Sequence, residues 1–97
     1  MLEYIIARTD GDYFELHYSQ SSDTFRPVTF PSKRVEGWGE WRIEVEGCEV
    51  SFSGEPPGYH VVFGCDDIEP DTARKIVDEI LLNIERVTGQ KGEVIEI

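Results

Sequence analysis

Two periods divide this chain. As far as about residue 65, apolar side chains recur at every second position; beyond that, one stretch repeats them every third and fourth. The alternation is strictest at 40–46. Trp41, Ile43 and Val45 fall on one side there, and Glu40, Arg42, Glu44 and Glu46 on the other, as in a strand with one buried face. Glu46-Gly47 reads as a two-residue turn. Setting Val45 opposite Cys48 keeps Cys48, Val50 and Phe52 on the same inward side. After a turn at 54–58 (GEPPG), Tyr59, Val61 and Phe63 form the inward set of the next strand, with His60 and Val62 pointing out.

Near the start, Asp10-Gly11 predicts a hairpin, because Asp-Gly readily takes the positive φ of a type I′ turn. With those two residues as the loop, Ala7 faces Phe14 and Ile5 faces Leu16. Ile5, Ala7, Phe14, Leu16 and Tyr18 then make the core face. Tyr4, Ile6, Arg8, Tyr13, Glu15 and His17 make the other, unusually aromatic for a solvated surface. Residues 19–24 read as a polar loop. The strand pattern at 25–30 is interrupted by Pro27, which confines it to an edge. Residues 31–39 read as a loop.

The helical period lies at 71–88. Ala73, Ile76, Val77, Ile80, Leu81, Ile84 and Val87 follow the i, i+3, i+4, i+7 rule, which gives one apolar stripe. Pro70 suits the first turn and Asp71 the positive end of the helix dipole. Gly89 suits the residue just past the end. Opposite charges at Asp71 and Lys75, Arg74 and Asp78, and Lys75 and Glu79 are spaced to pair along the helix. A short strand at 93–97 follows. One helix covers one face of a sheet. The expected fold is therefore α+β: an antiparallel sheet of five to six strands, with one C-terminal amphipathic helix packed on one face and a short final strand. The strand at 59–64, the helix and the last strand are arranged as a βαβ crossover would be. At 97 residues the chain has the length of a single domain, 1–97.

Charge changes the functional picture more than the structural one. Twenty acids face nine bases, a net charge of −11. Such a surface repels nucleic acid and anionic membrane and favours a basic partner. No stretch is long enough to cross a bilayer. The first ten residues carry Glu3 and no basic region of the kind a secretory signal needs, so a cytoplasmic location is expected. Two cysteines without a CxxC spacing do not suggest zinc. If Ser53 and Tyr59 flank the turn between their strands, Cys48 and Cys65 fall at opposite ends of the pair. They are then expected as buried free thiols.

Chemistry is sparse. His17 and His60 are the only histidines, and neither spacing implies a catalytic pairing. Asp66, Asp67, Glu69 and Asp71 cluster before the helix, where charge complementarity to the dipole explains them better than a cation loop. Lys33 and Arg34, with Arg26 upstream, form the one local basic spot; it suits a phosphate or carboxylate, but no glycine-rich phosphate loop accompanies it. Trp38, between two glycines, is either an exposed anchor or a lid on the open end of the core. No motif calls for a cofactor. The leading expectation is a non-enzymatic acidic binding protein, such as an inhibitor or immunity-type partner of a basic protein, or a self-associating module. Its binding residues would be Tyr4, Ile6, Tyr13 and His17 on the sheet face away from the helix, with Trp38. The alternative is a small-ligand protein or enzyme with a pocket near loop 31–39, lined by Trp38, Lys33, Arg34 and His60.

Overall fold

A computed structural model describes residues 1–55 and 58–97. Six strands, β1 (Glu3–Arg8), β2 (Ser32–Arg34), β3 (Trp41–Val45), β4 (Cys48–Glu55), β5 (Gly58–Phe63) and β6 (Gly92–Glu96), form one sheet in the order β2-β3-β4-β5-β1-β6. Every neighbouring pair is antiparallel. The short helix α1 (Ser21–Thr24) follows a 3₁₀ turn at Tyr18–Gln20, and the long helix α2 (Pro70–Thr88) joins β5 to β6. The expected α+β architecture is thus present, with all six strands in one sheet. Because β1 lies between β5 and β6 and is antiparallel to both, β5 and β6 run the same way. The α2 connection is therefore a βαβ crossover split by the N-terminal strand.

The middle hairpin forms as its alternation requires. Val45 pairs with Cys48 and Trp41 with Phe52. Glu46 and Gly47 both take positive φ, 53° and 72°, the backbone that a tight hairpin with right-handed twist demands. The expected turn at 54–58 centres on Pro56 and Pro57, which lie outside the described residues. Along α2, Ala73, Ile76, Val77, Ile80 and Ile84 are buried against the sheet. Gly89 ends the helix at φ 71° and donates its N–H to the Glu85 carbonyl.

At the N-terminus the expectation fails. Gly11 does turn the chain at φ 79°, but residues 12–17 do not return along β1. Both edges of β1 are taken, one by β5 and the other by β6. The 12–17 segment instead runs across the end of the sheet. Phe14 stacks on Tyr59 with ring centroids 6.3 Å apart, and the Glu15 N–H donates to Gln90 Oε1 at 2.8 Å. The face assignment of β1 is consequently reversed. Tyr4 and Ile6 are buried beneath α2, 2% and 0% exposed, and Ile5 and Ala7 occupy the other face. Burial, and secondarily the charge of Glu96, pushes the Tyr4 phenol above its ordinary pKa.

The cysteines also depart from expectation. In the β4–β5 ladder Val50 pairs with Phe63 and Ser53 with His60. Continued by two residues, this register brings Cys48 beside Cys65 at the same end of the pair. They form a disulfide with Cα atoms 5.6 Å apart.

A candidate functional site on the open sheet face

Packing α2 on one side of the sheet leaves the other side without a covering layer among the described residues. Strand register fixes what stands there. One cross-strand row runs Ile95–Ile5–His60–Ser53, and the next runs Glu3–Val62–Ser51–Arg42. Ile95 is 42% exposed, and Ile5 and Val62 are half-buried. Around this apolar strip the same register places Glu3, Glu44, Glu49, Glu55 and Glu93. The two cations on this face are each held by one of those acids: Arg42 Nε lies 2.7 Å from Glu49, and Lys33 Nζ 3.7 Å from Glu44.

His60 stands inside the strip. Its Nδ1 is 3.8 Å from Glu55 and its Nε2 3.8 Å from Glu3, both longer than a hydrogen bond. Nε2 is buried with no hydrogen-bond partner. A ring nitrogen placed so is satisfied by solvent or by a docked partner.

Trp38 reaches the same side. Loop 36–40 folds against β4, so close that a Cβ on Gly39 would meet Ser51 Cβ at 3.2 Å. The Trp38 carbonyl accepts from Arg42 Nη1 at 3.4 Å, and its side chain is 63% exposed. Of the five residues expected to bind, Trp38 borders the open face. Tyr13 and His17 are exposed, but on the 12–17 segment at the end of the sheet. Tyr13 there lines a small cleft of about 260 Å³ with Glu40 and Tyr59. Tyr4 and Ile6 belong to the core. Ile5, Val62 and Ile95 take their place; Ile5 and Val62 alternate with buried residues of their own strands, the signal that could have found them.

The basic spot does not lie on a loop spanning 31–39. Residues 32–34 are an edge strand, and a cleft of about 600 Å³ lies between them and the 25–31 segment, on the helix side. Lys33 and Arg34 line it together with Arg26, Phe25 and Trp41; Trp38 and His60 do not. Asn83, a polar residue on the apolar stripe of α2, is 1% exposed. Its Nδ2 donates to the carbonyls of Thr24 at 3.1 Å and Arg26 at 2.8 Å. One turn earlier, the Glu79 carboxylate accepts from the N–H groups of Val28 at 2.6 Å and Thr29 at 2.8 Å and from the Thr29 hydroxyl. Partial burial pushes the Glu79 carboxyl up. The bonds from Thr29 and Val28 together outweigh that and hold it below its ordinary value.

The acids before α2 do not converge on one point: Asp66 pairs with the N-terminal amine at 3.2 Å. Among the described residues no three metal-ligating side chains gather, and no helix is long and apolar enough to cross a membrane. Compared with known proteins, the chain matches no family model, no curated sequence and no solved structure.

Proposed function

We propose that this is a non-enzymatic binding protein whose open sheet face receives a basic surface of another protein. One observation carries the reading: five glutamates surround the uncovered strip of Ile5, Val62 and Ile95, and both cations on that face are already engaged. An apolar centre inside a charged rim is how specific protein interfaces are built. The sign of the rim selects a basic partner and speeds its approach. The unpartnered His60 Nε2 and the exposed Trp38 offer a polar contact and an aromatic anchor on the same side. An inhibitor or immunity-type partner of a basic enzyme has this chemistry. Self-association through the same face does not, because it would set two acidic rims against each other. As to compartment, the Cys48–Cys65 pair favours an oxidising setting over the cytoplasm expected from the N-terminus.

The test is affinity capture from the native host with the wild-type chain, with Glu3→Lys/Glu93→Lys, and with Asp67→Lys/Asp71→Lys. The last carries the same charge change away from the open face. A basic protein held by the wild type and by the Asp67/Asp71 variant at low salt, released by salt and lost from the Glu3/Glu93 variant, is the expected result. Equal capture by all three chains would place the interface elsewhere.

A further inference from the structure

The cleft on the helix side of the sheet is separate from the open face and differs from it in sign. It exists because α2 stops short of the β2–β3 end. Its closest backbone contacts with the sheet are to β1 and β6, at the opposite end. The 25–31 segment has to cover β2–β3, yet Pro27 and Pro31 prevent it from lying down as another strand. It bows away instead, and about 600 Å³ remains beneath it, within the range of small-molecule sites.

Both walls are fixed. Asn83 and Glu79 tie the bowed segment to α2 at Thr24, Arg26, Val28 and Thr29. The opposite wall is the β2–β3 ladder. Arg34 pairs across that ladder with Ile43, which turns it to the helix side. Its guanidinium stacks on Trp41, with Cζ 3.9 Å from the ring centroid, and Nη2 donates to the Tyr18 hydroxyl at 3.2 Å. A guanidinium held flat in this way keeps its remaining donors aimed without further loss of freedom. Neither Arg34 nor Arg26 has a carboxylate within salt-bridge distance among the described residues, although acids outnumber bases twenty to nine. Lys33 lines the cleft too, but Glu44 holds it from the far face.

We infer that this cleft binds a small organic anion: a phosphate or carboxylate group engaged by Arg34 and Arg26, carried on a flat apolar body that packs among Phe25, Phe30 and Trp41. The two arginines supply forked donors suited to either oxyanion. The aromatic lining rewards a ring over a bare ion.

Trp41 makes the test direct. The chain has two tryptophans, and Trp38→Phe, at an exposed position, leaves Trp41 alone as a reporter on the cleft. Phenyl phosphate and phenylacetate are titrated into this variant, with inorganic phosphate and phenethylamine as counter-probes. At least one of the two anions is expected to shift Trp41 fluorescence saturably, with a Kd on the order of 0.1–1 mM for so small a ligand. Whichever binds tighter shows whether a dianion or a monoanion suits the pair of arginines. Arg34→Gln and Arg26→Gln, each checked for an unchanged circular dichroism spectrum, are expected to weaken binding about tenfold. Glu3→Lys/Glu93→Lys should leave it unchanged, so this site and the open-face interface stand or fall separately. No saturable response to either anion overturns the inference. So does equal binding of phenethylamine, which would make the cleft merely apolar, or of inorganic phosphate, which would make the ring irrelevant.

Discussion

At the scale of single residues, the most consequential side chain is Glu79. Sequence places it for an ordinary pair with Lys75, and such exposed pairs contribute little. The structure gives its carboxylate to the amides of Val28 and Thr29 and to the Thr29 hydroxyl. One helix residue thus closes an irregular segment that has few bonds of its own. Its carboxyl is held below the ordinary value in the folded chain, which fixes the sign of its pH dependence. The stabilisation is fully present above the unfolded-state pKa and is lost as pH falls through the lower folded-state value. Glu79→Gln is therefore expected to destabilise the protein at neutral pH by about 1–2 kcal/mol, the worth of a charge-assisted hydrogen bond. The difference from wild type should shrink as denaturant titrations are moved down through the carboxylate range. A gap that stays constant with pH would mean that the charge of Glu79 contributes nothing and only its shape matters.

Elements show why some of the fold could be read from the chain and some could not. The β3–β4 hairpin and α2 were legible because each is specified locally, by strict alternation around Glu46-Gly47 and by one unbroken apolar stripe. Asp10-Gly11 is as strong a local signal, and the chain does turn there. Which strands then pair with β1 is decided by competition across the whole sheet, and a two-residue turn carries no information about β5 or β6. Pairing β1 with 12–17 across that turn reverses the face of β1. It turns Tyr4 and Ile6 toward a binding surface, whereas they are core. The 25–31 segment was illegible for another reason: its partners, Glu79 and Asn83, lie some fifty residues away. The disulfide is an element-scale feature as well, because the β4–β5 ladder aligns its two sulfurs. It closes a separation of 17 residues, for which loop-closure entropy gives about 3 kcal/mol. Cys48→Ser/Cys65→Ser should accordingly melt on the order of 10 °C lower than the oxidised wild type. Alkylation followed by mass measurement should add two labels only after reduction. Two labels on the untreated protein, or an unchanged melt, would remove the bond from the account of stability.

For the whole molecule, the distribution of charge sets function against stability. A net charge of −11 on 97 residues costs folding free energy through self-repulsion, most where carboxylates are crowded. The open face is such a place: Glu44 stands directly across from Glu49, and Glu3, Glu55 and Glu93 surround the same strip. Glu44 and Glu49 are each offset by a cation, Lys33 and Arg42, whereas Glu93 has no such partner among the described residues and Glu3 has only His60 nearby, so their repulsion is uncompensated. A surface kept only for its own stability would interleave the two signs, whereas one shaped to receive a basic partner tolerates the cost. Glu3→Lys/Glu93→Lys, the variant that should lose the partner, is for this reason expected to be more stable as a free protein. The gain should be a few tenths of a kcal/mol to about 1 kcal/mol in low salt, the range for exposed charges, and should diminish as ionic strength rises and screens the rim. Thermal melts of the two chains across a salt series measure it. A variant that melts below wild type in low salt would show that these glutamates stabilise the fold. Their crowding would then need no partner to explain it.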